Sequence, residues 1–196
     1  PLVLSSAEQL HSSLFQGQTD RSSIFQFVFQ ELQQVLPSLP DQHSNKEGNY
    51  YGRITQPVVN FLLAKLALNA EIYMYDDWTQ GYASRPKGSD IHFSVPASDA
   101  SLRNGDKVDC RKLNAWETCI YYCDKLAEEG YVLESDDSFN FSTHNETSKE
   151  NIFTIPMDKN IYTNQFHYLF RSYHYTHGGV LGWGSENGTS ATISTM

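Results

Sequence analysis

The sequence predicts a mainly α protein, a helical scaffold with long irregular loops and little strand. Three segments of its 196 residues carry apolar side chains at helical spacing. Long stretches rich in Gly, Pro and polar residues separate or follow these segments and show no period. Aromatic residues make up 13% of the chain, so the loops as well as the core are expected to carry large flat side chains.

The first predicted helix starts near Asp20 or Ser22, since either side chain can cap a helix. Pro37 and Pro40 end it, because proline removes a backbone donor and restricts the residue before it. Helical spacing predicts a single apolar stripe on this helix, formed by Ile24, Phe25, Val28, Leu32 and Val35.

The second predicted helix runs from Thr55, which caps it, to about Tyr75. Pro57 lies in its first turn, where the missing N–H costs little. Apolar side chains cover most of its circumference, which is typical of a central, buried helix. They are Val59, Leu62, Leu63, Leu66, Ala70 and Tyr73.

The third predicted helix starts at Asn114, and Glu117 completes a capping box with it. Gly130 suits the position just past its end. The second and third helices are expected to pack antiparallel, as in a tetratricopeptide-like unit, although no repeat of about 34 residues is evident. The predicted apolar stripe of the third helix consists of Trp116, Ile120, Cys123, Leu126 and Ala127.

The connections between these helices are long. Residues 78–109 contain several Gly and Pro, and connections of this length in compact domains are often functional. Within them, Asn104-Gly105-Asp106 marks a turn of the kind found at hairpin tips. Residues 152–156 are predicted to form a short strand, and residues 161–196 are predicted to be irregular.

The composition argues against one class of binding partner. The net charge is -9 and the pI is about 5.1, so the surface repels phosphate backbones and nucleic acid is not expected as a partner. No run of about 18 apolar residues is present. The chain begins at Pro1, without an initiator Met or a lipidation Cys. We therefore interpret residues 1–196 as one partial domain, an internal segment of a longer protein.

The three cysteines do not predict a disulfide framework, because their number is odd. Cys119 and Cys123 are four residues apart, so they share a helical face and are interpreted as small buried hydrophobes. A zinc site would need further ligands at suitable spacing, and the neighbouring sequence provides none. Neither a metal nor a cofactor is predicted.

Residues 182–188 are rich in glycine, but Asn187 occupies the place of the third glycine of a dinucleotide-binding fingerprint. A loop that presents Trp183 is the better interpretation. His167, His174 and His177 lie close together in the sequence, and loop histidines of this kind more often hydrogen-bond than bind metal.

Sequence motifs for catalysis are missing, since no nucleophile elbow, zinc-protease helix or phosphate loop occurs. The pairs Asp76-Asp77 and Asp136-Asp137 could serve as acid and base in glycoside cleavage. Adjacent acids in loops are, however, usually solvated or capping. The chain is therefore not predicted to be an enzyme.

Sugar binding needs only exposed aromatic faces and planar polar side chains. The C–H face of a pyranose stacks on Trp or Tyr, while Asn, Asp, Arg and Gln bind the hydroxyls. Aromatic residues in the predicted loops have the composition of such a binding face. The candidate ligand-binding residues are Trp78, Tyr82, Phe166, Tyr168, Tyr175, Trp183 and Asn187.

Four segments, in this order, resemble the SusD/RagB family of glycan-capturing lipoproteins. They are the helix from Phe25 to Pro40 that ends in Leu-Pro-Ser-Leu-Pro, the tetrapeptide Gly52-Arg53-Ile54-Thr55, the segment from Trp116-Glu117-Thr118-Cys119 to Gly130-Tyr131, and Glu150-Asn151-Ile152-Phe153. The resemblance rests on their order and spacing and covers essentially the whole chain.

This resemblance implies a tetratricopeptide-like scaffold with a loop-rich ligand face. It further implies binding of oligosaccharide nutrients without cleavage, at the outer membrane and cell surface, for delivery to a SusC-like TonB-dependent transporter. Membrane association would come only from a lipid anchor outside this chain. By position, Phe166 or Tyr168, together with Trp183, resemble members of the family's aromatic arc.

Two other classes remain open at this point. A helical-repeat protein-interaction module would present a concave helical surface rather than a cluster of loop aromatics. A glycoside hydrolase would need two carboxylates that face each other across a cleft.

Overall fold

The computed structural model describes residues 19–96, 110–156 and 180. The chain divides into two compact units, residues 1–154 and residues 155–196. In the second unit only Ile155, Pro156 and Val180 are described, and Ile155 and Val180 are exposed. The fold that follows is therefore that of the first unit.

Helices account for about half of the described residues, and strands form only one two-stranded sheet among them. The prediction of a mainly α protein with little strand is confirmed. The α-helices are α1 (Arg21–Val35), α2 (Gln56–Leu68), α3 (Ala70–Tyr73) and α4 (Ala115–Glu128). The strands are β1 (His92–Pro96) and β2 (Cys110–Asn114).

Helix α1 buries a narrower face than its sequence predicts. Phe25 and Phe29 are its buried residues, whereas Ile24, Val28 and Val35 are each more than a third exposed. The predicted stripe missed Phe29 because helical spacing alone does not tell which side of a stripe meets the core. A 3-10 turn, Leu36–Ser38, follows α1 directly and contains Pro37.

Helix α2 is the central helix, as predicted. Thr55 is its N-cap residue in extended conformation, and Pro57 lies in its first turn. The expected continuous helix to Tyr75 is interrupted at Asn69, whose side-chain Nδ2 donates to the carbonyl of Lys65 at 2.9 Å. This hydrogen bond competes with the helical ladder, so the helix resumes as the separate short α3.

Both predicted ends of α4 are confirmed. Asn114 accepts from the Glu117 backbone N–H at 3.0 Å, and the Glu117 carboxylate accepts from the Asn114 N–H at 2.9 Å. Gly130 has φ 89, and the N–H groups of Gly130 and Tyr131 donate to carbonyls of the last turn. These local rules fix where α4 starts and stops.

The buried face of α4 differs from the predicted stripe. Its buried residues are Ala115, Thr118, Tyr122 and Leu126. Of the predicted stripe, only Leu126 is buried and the remaining four residues are exposed (Trp116, Ile120, Cys123 and Ala127). The buried Thr118 keeps its hydroxyl satisfied, because it donates to the carbonyl of Asn114 at 2.7 Å.

Cys119 of this helix is half-buried and Cys123 is exposed, and no disulfide joins either of them to another cysteine. The expected burial of both is therefore wrong for Cys123.

Helices α2 and α4 pack against each other in the expected antiparallel sense. Near the start of α2, Asn60 bonds to Glu129, which follows the end of α4. At the opposite ends, Glu71 accepts from the N–H of Gly88, and the carbonyl of Gly88 accepts from the N–H of Ala115. The pair therefore forms the central layer of the first unit.

The antiparallel sheet leads directly into α4. His92 pairs with Asn114, and Pro96 pairs with Cys110. The predicted turn at residues 104–106 would connect these strands, but it lies outside the described residues. The predicted strand at residues 152–156 is wrong, since these residues are described without strand pairing.

Aromatic rings pack against each other in the core between α1, the sheet and α4. Phe29 stacks on Phe93 with ring centroids 4.2 Å apart, and Tyr122 meets Phe29 edge-on at 6.4 Å. The Gln33 amide donates to the Tyr122 hydroxyl at 3.0 Å, which satisfies the polar end of a fully buried ring.

Candidate functional site

Of the seven predicted ligand-binding residues, the structure describes two, Trp78 and Tyr82. The other five, Phe166, Tyr168, Tyr175, Trp183 and Asn187, lie outside the described residues. The histidines at 167, 174 and 177 lie there as well. The described part of the predicted site is therefore the loop that follows α3.

This loop is built from two successive 3-10 turns, Trp78–Gln80 and Tyr82–Ser84. Gly81 joins them with φ 83, a conformation that favours glycine. Asp77 accepts from the N–H of Thr79 at 3.0 Å and so caps the first turn. The Tyr75 hydroxyl donates to the carbonyl of Gly81 at 2.8 Å, which ties the middle of the loop to the end of α3.

The rings of Trp78 and Tyr82 stack on each other. Their ring centroids are 6.2 Å apart with an interplanar angle of 25°, and Tyr75 meets Trp78 edge-on at 4.8 Å. The exposed fractions are 42% for Trp78 and 58% for Tyr82. Two large, nearly parallel rings thus reach solvent, while the buried Tyr75 packs edge-on against Trp78.

Two arginines flank the rings. The Arg21 guanidinium lies 5.1 Å from the Trp78 ring centroid, and that of Arg85 lies 3.9 Å from the Tyr82 centroid. Both are within the range of cation–π attraction. We call these five residues, Arg21, Tyr75, Trp78, Tyr82 and Arg85, the aromatic platform.

Hydrogen bonds hold both arginines in place. Arg21 donates to the carbonyl of Tyr75. Arg85 donates to the Glu71 carboxylate at 2.8 Å. The Gly88 N–H and then Arg85 lower the Glu71 pKa, so this carboxylate stays charged as the partner of Arg85. The guanidinium groups are therefore positioned before any ligand arrives.

The paired acids in this region have structural partners. Asp76 accepts from both the hydroxyl and the N–H of Ser22 at the start of α1, and these bonds lower its pKa. Bonds from Thr79 lower the pKa of Asp77, and bonds from Ser138 lower that of Asp136. A general acid in glycoside cleavage needs a raised pKa, so none of these three carboxylates has that property.

A second surface feature is an apolar groove between α2, α4 and the segments that follow α4. Its volume is about 1040 Å³, and Phe61 on its wall is 42% exposed. We call it the α2–α4 groove. Its lining residues are Val58, Phe61, Leu62, Cys123, Leu126, Ala127, Tyr131, Val132, Leu133, Glu150, Asn151, Ile152 and Phe153.

The segment Ser148–Phe153 has a clear structural role beside this groove. The buried Ser148 hydroxyl accepts from the N–H groups of Glu150 and Asn151, each at 3.1 Å, and donates to Asn140 at 2.7 Å. Its carbonyl accepts from the side chain of Asn45 at 2.8 Å. These bonds hold the loop at Asn45, the turn at Asn140 and the Ser148 segment together, so the polar residues of this motif are used internally.

Glu150 completes this network. Its carboxylate accepts from the Asn140 side chain at 2.9 Å and from the Glu134 N–H at 3.0 Å. The bond from Asn140, followed by that from Glu134, lowers the pKa of Glu150. The carboxylate therefore stays charged and acts as an acceptor for the loop.

The tetrapeptide at residues 52–55 is also structural. Gly52 has φ 69, and its N–H donates to the carbonyl of Ser44 at 2.8 Å. Thr55 is fully buried at the start of α2. The segments 52–55 and 148–153 thus position backbone, and neither belongs to the aromatic platform.

A cluster at the end of α4 was not predicted from the sequence. Glu129 accepts from Asn60 Nδ2 at 3.3 Å, and its backbone carbonyl accepts from His43 Nε2 at 2.9 Å. The His43 ring stacks on Tyr131 at 4.3 Å. Burial raises the Glu129 pKa to about 7, against the opposing bond from Asn60. The same burial lowers the pKa of His43.

No sequence pattern marks this cluster, because its residues come together only in the folded chain. Glu129 Oε2, His43 Nδ1 and the Tyr131 hydroxyl are buried without a hydrogen-bond partner in the described protein. In the sequence, Glu129 reads as one of several charged residues before the glycine that ends a helix. The carboxyl group meets Asn60 of α2 and comes near Asp41 only in the folded chain, because both residues are far from it in the sequence.

No protein-family model, curated protein or solved structure matches the chain. Among the described residues, no helix has both the length and the apolar character needed to cross a membrane. The same residues contain no group of three or more His, Cys, Asp or Glu side chains that could hold a metal ion.

Proposed function

We propose that this chain belongs to a non-catalytic protein that binds oligosaccharide nutrients at the cell surface. In this proposal it is SusD-like, is held at the outer membrane by a lipid anchor outside this chain, and delivers its ligand to a SusC-like TonB-dependent transporter. The observation that carries the proposal is the aromatic platform, with two exposed stacked rings between two fixed arginines.

The platform has the chemistry that a sugar ring needs. The exposed parts of Trp78 and Tyr82 offer apolar area for the C–H face of a pyranose. Arg21 and Arg85 carry several N–H donors in a planar fork, and these can reach hydroxyl oxygens at the edge of a stacked sugar. Because both side chains are already held by hydrogen bonds, ligand binding would order few additional rotamers.

The scaffold supports the same proposal. A tetratricopeptide-like unit would contain an antiparallel helix pair such as α2–α4, and in this proposal the loop after α3 presents the platform. The five predicted residues beyond the described part, Phe166, Tyr168, Tyr175, Trp183 and Asn187, stay candidate ligand-binding residues in this proposal.

The test is calorimetric titration of the chain with a panel of oligosaccharides, repeated for Trp78→Ala and Tyr82→Ala. Loss of one stacking partner is expected to weaken the best ligand by about 1 kcal/mol, or roughly fivefold in Kd. Tyr50→Ala is the matched control, since Tyr50 is an exposed tyrosine outside the platform. Unchanged affinity in both platform variants would contradict the assignment of the site.

A protein-interaction module is the second candidate, and the α2–α4 groove favours it. An exposed apolar groove of this size is the kind of surface on which a partner helix can dock. Phe61→Asp would disrupt such docking and leave glycan affinity unchanged. If Phe61→Asp abolishes binding to the transporter while no sugar in the panel binds, the second function is favoured.

A glycoside hydrolase is the third class. Incubating the same panel with the chain and measuring new reducing ends tests it directly. Turnover would overturn the non-catalytic proposal.

A further inference from the structure

One of the two arginines of the aromatic platform is paired with a fixed carboxylate. Arg85 Nε lies 2.8 Å from Glu71 Oε2, and the other carboxylate oxygen, Oε1, accepts from the N–H of Gly88 at 2.8 Å. The exposed side-chain fractions are 28% for Arg85 and 19% for Glu71. Because this pair is partly buried, salt and water screen its charges less than those of a pair on the open surface.

The second arginine also lies near a carboxylate. Arg21 donates to the carbonyl of Tyr75. The next residue along α1, Ser22, donates from its N–H to Asp76 at 2.9 Å and from its hydroxyl to the same carboxylate. The bonds from Ser22 and then the charge of Arg21 lower the pKa of Asp76. The two positive charges of the platform are therefore balanced by two negative charges that belong to the fold.

An acidic sugar would lose its main electrostatic advantage at such a site. A guanidinium binds a carboxylate best through two parallel hydrogen bonds, but Arg85 already donates from Nε to Glu71 and from Nη1 to the carbonyl of Tyr82 at 3.2 Å. A ligand carboxylate beside Arg85 would also be repelled by Glu71. A sugar hydroxyl brings no charge and can accept a single N–H, so it meets neither obstacle.

We propose that Glu71 makes the aromatic platform selective for uncharged oligosaccharides over oligosaccharides that carry uronic acid carboxylates. Since the sugar would bind at the platform itself, this inference rests on the proposed function. Glu71 is a positioning residue that acts through Arg85: it cancels the charge of the guanidinium and holds it 3.9 Å from the centroid of the Tyr82 ring. The net charge of -9 adds a long-range repulsion of acidic ligands.

The experiment compares two matched ligands by calorimetry. One is the uncharged oligosaccharide of the panel that binds best, and the other is the same oligosaccharide oxidised at C6 to the uronic acid. The unmodified chain is expected to bind the uncharged ligand more tightly. In Glu71→Gln, the ratio of the two affinities is expected to shift by about tenfold toward the acidic ligand, the scale of one charge contact near a protein surface. Glu128→Gln is the control, because it removes a carboxylate that pairs with Lys125 outside the platform, and the ratio is expected to stay unchanged.

Salt dependence of the unmodified chain provides a readout that needs no variant. Raising the salt concentration from 20 to 200 mM should strengthen binding of the acidic ligand, because screening weakens repulsion, and should leave the uncharged ligand unaffected. Weaker binding of the acidic ligand at high salt, or an unchanged ratio in a folded Glu71→Gln, would overturn the inference and leave sugar binding at the platform intact. If no oligosaccharide of the panel binds the unmodified chain, the proposed function itself is wrong and the inference is wrong with it.

Discussion

Replacing Glu129 by Gln should make the protein more stable at pH 8 and remove part of its pH dependence. The Glu129 carboxyl is partly buried at the end of α4, and one of its oxygens, Oε2, has no hydrogen-bond partner in the described protein. Burial raises its pKa from 4.5 to about 7, with a further contribution from Asp41. Gln keeps the side-chain oxygen that accepts from Asn60 but cannot ionise.

The raised pKa of Glu129 decides how its contribution to stability changes with pH. In the unfolded chain Glu129 ionises near 4.5, whereas in the folded chain it holds its proton to about pH 7. Its contribution to stability is therefore complete below pH 4.5 and is lost as the pH rises through 7. At 1.36 kcal/mol per pKa unit the full change corresponds to about 3 kcal/mol. Since the group is partly exposed, solvent screening reduces this to about 1–2 kcal/mol.

Urea unfolding of the unmodified chain and of Glu129→Gln, at pH 5 and pH 8, measures this difference. The variant is expected to gain about 1–2 kcal/mol relative to the unmodified chain between the two pH values. Glu128→Gln is the matched control, because the Glu128 carboxyl is next to Glu129 in the sequence but is exposed and pairs with Lys125 at 3.1 Å. Parallel pH profiles for the unmodified chain and Glu129→Gln would refute the reasoning.

Four further substitutions test the packing. Gly88→Ala would place a Cβ 2.3 Å from the Trp116 ring and should cost about 1–3 kcal/mol in chemical denaturation; an equal cost in a Trp116→Ala background would exclude this clash as the cause. Ser148→Ala removes a buried hydroxyl with three hydrogen bonds and should lower the free energy of unfolding by about 2–3 kcal/mol. A melting temperature within a degree of the original would contradict this expectation. Leu63→Ala, at a fully buried position, should cost about 2–5 kcal/mol, and the half-buried Leu66→Ala should cost less; the reverse order would show that the core is centred elsewhere.

The sequence predicts that Trp78 and Tyr82 lie in a loop, but it does not predict how their rings are arranged. Trp78 and Tyr82 follow an apolar helical segment in a stretch with Gly and Pro, which is enough to predict exposed aromatics. Their stack depends on Gly81 and on Asp77, which are local. Arg21 was not predicted, because it reaches Trp78 from the start of α1, in a segment far from Trp78 in the sequence.

The sequence by itself determined the features that depend on neighbouring residues. The capping box at Asn114, the turn at Gly130 and the proline-rich end of α1 involve groups within a few residues of each other, so local spacing is sufficient. The mainly α class follows from the same short-range periodicity.

Only the tertiary structure decided which helical faces are buried and which polar groups lose contact with water. Periodicity places Ile120 and Leu126 on comparable apolar positions, yet Ile120 is 59% exposed and Leu126 only 7% exposed. The Asn45 side chain bonds to the carbonyl of Ser148 across 103 residues of sequence. Burial and long-range hydrogen bonding depend on which surfaces meet, and that is set by packing of the whole unit rather than by any local pattern.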